Sequence, residues 1–408
     1  MNNRHLPYLP ASFWEQSPQL KKVQQAAFSV ITSPDAVLGC LLCRVAASFP
    51  ATFTLPNGTS LNYMAALVGE SGTGKSVAIR AARRLLPDIG ENVPELNIGS
   101  GQGIASTYSD RNENGTSPAV TSALFCVSEG EQLLKLGRAS ESITLSTIRS
   151  AWSGETLGTA NASKERRRNV PADSYRFAMT VGFQPTFAAD LLTGVHHGDP
   201  QRFLFVGVTH PDQPDIRPAF PKPFAPLWDQ TLTGEVELKV DKEIQREIDS
   251  YRVRKQRLEV LDDPLDSHRH LLQLKTAALL ALLHNDDVTL QWWNASALLV
   301  NVGRGVRDRL KELALLDRKQ RNAERTAEQI EAEAQKESSR DQRTKDSMIR
   351  SMVAKCKSDG VPVNRTALHN ATASKHRHLV DFDSAFSLAI ERRQIIPAAN
   401  RSGFFTTP

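Results

Sequence analysis

The sequence predicts an α/β fold centred on a mostly parallel sheet, and three observations lead there. Short apolar runs of strand length alternate with helical stretches over residues 61–210, the pattern of a parallel sheet covered on both faces. One such run, Leu61–Val68, leads directly into Gly69-Glu70-Ser71-Gly72-Thr73-Gly74-Lys75-Ser76, and the helical stretch Val77–Leu86 follows it. The flanks differ from this alternation: residues 1–60 and 229–320 read as helical, and 346–408 as three helices followed by a hairpin.

The glycine segment satisfies the pattern G-x-x-x-x-G-K-[ST] without a departure. A chain of this length shows that pattern by chance on the order of one time in a hundred at average residue usage. Its chemistry follows from the residue types. A triphosphate needs several backbone N–H groups turned toward its oxygens, and glycines let the chain curl closely enough to supply them. Lys75 would reach the outer phosphates as a point charge, and the Ser76 hydroxyl would be a magnesium ligand. The dipole of the following helix faces the anion. The whole segment Gly69–Ser76 is therefore the expected nucleotide-binding set, with ATP and magnesium as the expected cofactors.

Composition sets the bounds. The chain has 408 residues with a hydrophobic fraction of 40%, enough for two or three domains with cores of their own. No run of about 18 apolar residues occurs, so no membrane span is expected. Residues 1–7 lack an apolar signal core, which points to the cytoplasm. Cys40, Cys43, Cys126 and Cys356 are too few and scattered for a disulfide framework, and the C-x-x-C pair Cys40/Cys43 sits in an apolar helical stretch where buried thiols are expected rather than zinc ligands. The net charge of +5 is compatible with nucleic acid, and its placement matters more than its total.

Taken in order, residues 1–60 form an N-terminal helical segment. Ser17-Pro18 and Ser33-Pro34 each put a capping hydroxyl before a first-turn proline, and the second helix is apolar enough to pack on a core. Residues 61–210 are the nucleotide-binding core. Within it, Glu95–Ser100 reads as a strand with a glycine turn after it, and Asp110–Pro118 as a polar loop. The run Ala123–Val127 is an apolar strand ending in Ser128-Glu129-Gly130-Glu131. Such a strand delivers a carboxylate beside metal and attacking water, so Glu129 is the expected water-activating base and a metal-side residue, with Glu131 behind it. The polar stretch after Trp152, containing Lys164, Arg166, Arg167 and Arg168, suits a DNA-facing loop in which Trp152 stacks on a base, or a merely solvated charge run.

Two further catalytic candidates follow. Ser174–Pro185 reads as another strand ending in a polar amide, and Gln184 is placed to sense a terminal phosphate or simply to cap the strand before Pro185. Arg202 precedes an apolar strand and is a candidate finger on a neighbouring subunit's nucleotide, or a strand-edge salt-bridge residue. His196 and His197 read as loop residues. The proline-rich stretch 211–228 is a stiff connector at which the core is expected to end. Residues 229–320 form a helical region serving as lid or packing layer, with Arg269 and Lys275 as surface charges or cations near the nucleotide. Residues 321–345 form a charged helical linker with i,i+4 pairs.

Residues 346–408 are expected to be a small winged-helix domain. Asn364 caps a helix, and the hairpin lies between Ile395 and Thr406 around Asn400-Arg401-Ser402. Lys375, Arg377 and Arg401, with His376, His378, Arg392 and Arg393, make its face basic, and DNA is the expected partner.

Several of these segments together resemble the P-loop ATPase domain of phage, plasmid and integrated-element replication proteins. They are Leu67–Ser76, Gly99-Ser100-Gly101-Gln102-Gly103, Val127-Ser128-Glu129, Ala160–Lys164, Val181–Pro185 and Gln201-Arg202-Phe203-Leu204, and the resemblance covers roughly residues 10–300. It implies a RecA-like or AAA+-like P-loop NTPase core and an ATP-driven DNA motor or initiator. It also implies a homo-oligomer, expected as a hexameric ring, partnered by a primase or another replication protein. The alternative is an ATP-regulated helicase loader or adaptor without unwinding activity. Two departures stand out: Ser128 where relatives often carry Asp, and Gln102 where they often carry Glu. Magnesium would then rest mainly on Ser76 and water.

Overall fold

The computed structural model describes residues 5–90, 92–109, 120–138, 143–158, 169–192, 198–228 and 234–408, without the side chains of Arg138 and Lys375. The loop Asp110–Pro118, the basic residues Lys164 and Arg166–Arg168, and His196 and His197 lie outside the described residues. The chain divides into two compact units, Met1–Leu315 and Leu316–Pro408.

The first unit is built on a five-stranded, all-parallel sheet of β1 (Tyr63–Val68), β2 (Glu95–Leu96), β3 (Ser122–Val127), β4 (Arg176–Phe183) and β5 (Leu204–Gly207). The order across the sheet is β2-β3-β4-β1-β5. Every residue of β1, β4 and β5 is buried, which is why these strands read as mainly apolar rather than alternating, with Arg176 and Thr180 the buried polar residues of β4. Register fixes what meets at the sheet's end. Val68 lies level with Phe183 on one side and Gly207 on the other, and Val127 is level with Val181. Because all strands run the same way, the segments after Val68, Val127 and Phe183 emerge at one edge, where ligands of open α/β sheets bind. With β4 inserted between β1 and β3, the β4 tip stands between the glycine segment and Ser128-Glu129.

The helices are α1 (Pro18–Ser29), α2 (Pro34–Ser48), α3 (Lys75–Leu85), α4 (Gly101–Tyr108), α5 (Gly130–Arg138), α6 (Thr144–Ser153), α7 (Pro185–Leu192), α8 (Lys242–Gln256), α9 (Arg269–Leu283) and α10 (Leu290–Asp359). At α1 the hydroxyl of Ser17 accepts the N–H of Leu20 at 3.1 Å, a side-chain cap. Ser33 holds the corresponding position at α2, but its buried hydroxyl makes no cap bond, and its N–H goes to the carbonyl of Val208 instead. All residues of α2 are buried, so this helix forms an interior layer against the sheet. Cys40 and Cys43 are buried on it, and burial raises both thiols. Arg44 crosses from α2 to the carbonyl of Leu86 and to Glu95, which also pairs with Arg83 of α3, joining two helices to β2.

The division at Leu315 differs from the sequence-based boundaries at 210 and 228. Residues 211–228 are extended, as the prolines require, but they lie along the helical layer. The Lys22 ammonium sits 4.1 Å from the Phe224 ring centroid, and the Arg84 guanidinium 3.6 Å from that of Phe220. The Trp228 indole N–H donates to the carbonyl of Ser48. The aromatic residues among the prolines make this segment a strap. After it, Val236–Glu237 pairs in parallel with Phe53–Leu55, returning the chain to its N-terminal part. Lys275, read from sequence as a surface or nucleotide-proximal cation, is fully buried on α9 and donates to the carbonyls of Asn62 and Trp152. Burial holds its ammonium well below the usual lysine range.

The 70-residue α10 is continuous through the charged stretch 321–345. In the second unit, Val363–Asn364, Ile396–Pro397 and Phe404–Thr406 form a three-stranded antiparallel sheet, with α11 (Arg365–Ala371), α12 (Ser374–Arg377) and α13 (Phe382–Glu391) between its first and second strands. Met352, Leu368, Phe386 and Ile395 are among its core residues. Asn364 caps α11 by accepting the N–H of Ala367 at 2.8 Å. Among the described residues, no single helix is long and apolar enough to cross a membrane.

Candidate functional site

The glycine segment is shaped by two residues that only glycine occupies easily. Gly72 has φ +78° and Gly74 φ +108°, the left-handed region, and Gly74 is the N-cap of α3. Thr73 closes the turn by donating from its hydroxyl to the carbonyl of Glu70 at 2.7 Å. The loop is pinned behind by the Gly69 N–H to the carbonyl of Phe183 at 3.0 Å, and by tight packing of Gly69 on Val208. The turn after α1 braces it in front: a Cβ on Gly74 would stand 3.2 Å from the Thr32 hydroxyl.

Lys75 begins α3 and folds over the loop, its ammonium donating to the carbonyls of Gly69 at 2.6 Å and Glu70 at 2.8 Å. Burial lowers its pKa, and the Glu70 carboxylate opposes that shift. The stem of Lys75 lies against Gly182 of β4, where a Cβ would stand 2.7 Å from the Ser128 carbonyl oxygen and 3.2 Å from the lysine Cδ. Gly130 meets the Phe183 ring in the same way, with 2.2 Å from a Cβ to the ring carbons. Two glycines on neighbouring segments therefore let the β3 tip, the β4 tip and the lysine approach one another.

These segments enclose a cleft of about 490 Å³. Ser71, Gly72, Gly74, Lys75 and Ser76 line one side, Ser128, Glu129 and Glu131 the other, and Gly182, Gln184 and Phe187 lie between. Seven predicted residues thus come together: Ser71, Gly72, Gly74, Lys75 and Ser76 of the glycine segment, with Glu129 and Gln184. Glu70, Thr73 and Gly69 shape the loop without lining the cleft. Glu131 pairs with Lys135 at 2.7 Å, whereas Glu129 is exposed to the cleft. The oxygen donors present, the hydroxyls of Ser76 and Ser128 and the carboxylates of Glu129 and Glu131, are the hard ligands that suit magnesium, which is commonly held by one or two carboxylates plus phosphates and water.

Arg202 is placed elsewhere. It ends the turn Pro200–Arg202 before β5, so the length of that strand, roughly 13 Å, separates it from the glycine loop end of the sheet. Its guanidinium is half-buried, donates to the carbonyl of Gly198, and lies 5.5 Å from the Trp152 ring centroid. Burial, then the nearby Arg149, lowers its pKa. Trp152 was expected to stack on DNA, but it is fully buried, with Lys275 on its ring at 4.0 Å, and no base can reach it. Sequence reasoning missed Arg80, Gly182 and Phe187, which also line the cleft. Arg80 was legible as i+4 from Ser76, while Gly182 depends on strand register.

The second unit distributes its charge unevenly. Helix α13 contains Asp383 and Glu391 and no Lys or Arg. Arg365 pairs with Asp383, Arg392 with Asp346 at 2.8 Å, and Arg377 contacts His369 Nδ1 at 3.2 Å. Arg401 is exposed on the strand connection, 4.7 Å from the Phe404 ring centroid. Of the basic face expected across this unit, α12 and the exposed Arg393 and Arg401 remain, while Arg392, like Arg365, is engaged by a carboxylate. Compared with known proteins, the chain matches no family model and no curated protein.

Proposed function

We propose that the chain is a P-loop ATPase acting on DNA, of the kind that serves replication of mobile elements. The carrying observation is the cleft itself, in which a loop with two left-handed glycines, Lys75 and the first turn of α3 face Glu129 and Gln184 across one sheet edge. Loop N–H groups, the helix dipole and Lys75 would hold the phosphates. Ser76, with Ser128 and Glu129, would hold magnesium, which when bound screens phosphate charge. Glu129 would accept a proton from the attacking water, and the Gln184 amide would orient that water or the terminal phosphate. Arg202, which lies away from its own chain's cleft, keeps the proposed part of a finger on a neighbouring subunit's nucleotide. Lys75→Ala should abolish ATP binding and turnover while the melting temperature stays unchanged; undiminished turnover would remove the proposal.

DNA contact is assigned to the basic residues Lys164 and Arg166–Arg168 and to the second unit. Its order of helix, strand, three helices and hairpin supports a winged-helix reading, with Lys375, Arg377 and Arg401 as the contacting cations. A ring of subunits, hexameric in the motor reading, and a primase or other replication partner complete it. Ser128 favours a second reading, a helicase loader or adaptor, because a β3 tip lacking its first acid suits slow hydrolysis. Strand separation on a forked substrate would support the motor, and DNA-stimulated turnover without unwinding the adaptor.

A further inference from the structure

Helix α3 carries three arginines, and two are spent. Arg83 pairs with Glu95, and Arg84 stacks on Phe220. Arg80 is exposed, has no hydrogen-bond or ion-pair partner among the described residues, and lines the nucleotide cleft. It lies one helical turn beyond Ser76, so both side chains leave the same face of α3. The wall opposite presents the exposed Glu129 carboxylate but no acid at position 128. Ser128 is neutral, and Glu131 is already paired with Lys135. Placed as it is, an unpaired guanidinium beside the metal-side hydroxyl does what an acid at position 128 cannot: it binds phosphate oxygens directly, in a bidentate geometry a lysine does not reproduce.

We infer that Arg80 is a phosphate-binding residue that supplies in cis part of the charge neutralisation normally left to the metal, so that this cleft holds a nucleoside triphosphate without magnesium. The inference rests on the ATPase reading. A triphosphate entering the loop meets Lys75 at one end of the cleft wall and Arg80 one turn further along it. Magnesium then adds to a site already cationic, and its contribution to affinity is small. The presence of Arg80 and Ser128 in one cleft is the signature: an acid at 128 would strengthen the metal's hold and lower the cleft's net positive charge.

The test is calorimetric titration of the full chain with ATP, in magnesium and in EDTA. Wild-type protein is expected to bind in EDTA within about tenfold of its affinity in magnesium. Arg80→Ala should weaken binding in EDTA by about ten- to a hundredfold, the range of a charge-assisted hydrogen bond, and binding in magnesium by much less. Arg80→Lys should recover only part of the loss. Ser128→Asp should make binding strongly magnesium-dependent. Melting curves confirm folding, which an exposed residue such as Arg80 should not perturb. Equal weakening in both buffers, or none in EDTA, overturns the inference. If Lys75→Ala abolishes binding while Arg80→Ala changes nothing, the inference alone fails; if Lys75→Ala also binds normally, the ATPase reading fails with it.

Discussion

Gly182 shows how a single residue without a side chain sets the site. It sits in β4, buried on both faces, where any side chain would press on the Ser128 carbonyl and the stem of Lys75. The backbone oxygen cannot yield without moving the β3 tip. Gly182→Ala is therefore expected to cost about 1–3 kcal/mol of stability by overpacking. It should also weaken ATP binding beyond that loss by displacing Lys75, as read by titration at a temperature where the variant is folded. Normal affinity would mean the lysine stem adapts freely. A second residue-scale prediction concerns Asp35, buried at the start of α2, with one carboxylate oxygen accepting the Leu9 N–H at 2.9 Å and the other unpartnered. Burial raises its pKa from 3.8 to about 7. Because the folded pKa lies above the unfolded one, the folded state binds the extra proton between them. The stability from protonated Asp35 is complete below pH 3.8 and is lost as pH rises to about 7, a change on the order of 4 kcal/mol. Asp35→Asn should flatten this pH dependence of the melting temperature, and an unchanged slope would remove Asp35 as its source.

At the scale of elements, what was legible in the sequence is what local chemistry dictates. The apolar runs became β1, β3, β4 and β5, the glycine pattern became a loop with left-handed glycines, and the prolines of 211–228 became extended chain. What was illegible is what depends on distant partners. Nothing local says that β4 lies between β1 and β3, and that order alone puts Gln184 between Lys75 and Glu129. Likewise, prolines make a strap and a linker look alike; the difference lies in whether Phe220, Phe224 and Trp228 find a surface, and here they do. The same holds for Lys275 and Trp152, whose burial follows from α9 packing beneath the sheet rather than from their neighbours in sequence. The strap should therefore contribute to stability as no flexible linker would. Trp228→Ala should lower stability by about 2 kcal/mol through lost packing and the unpaired Ser48 carbonyl, measured by denaturant titration. A variant as stable as the parent would return 211–228 to the status of a spacer.

At the scale of the whole chain, the proposed DNA binding depends on how the second unit deploys its charge. A unit that reads DNA through its third helix would carry cations there, yet the exposed positions of α13 include Asp383, Ser387 and Glu391. Phosphates would be repelled by that face, so the proposed DNA contact falls to α12, to Arg393 and to Arg401 on the strand connection. This arrangement makes two substitutions diverge. Arg401→Ala is expected to weaken DNA binding several-fold, equally for all sequences, and to reduce the slope of log affinity against log salt by about one, the mark of one lost phosphate contact. Ser387→Ala, on the acidic helix, should leave both affinity and slope unchanged. Fluorescence anisotropy with a labelled duplex over a salt series reads both. If Ser387→Ala weakens binding in a sequence-dependent way while Arg401→Ala does not, α13 enters the groove despite its charge. If neither substitution matters, the second unit binds protein, and DNA contact belongs to the basic residues Lys164–Arg168 alone.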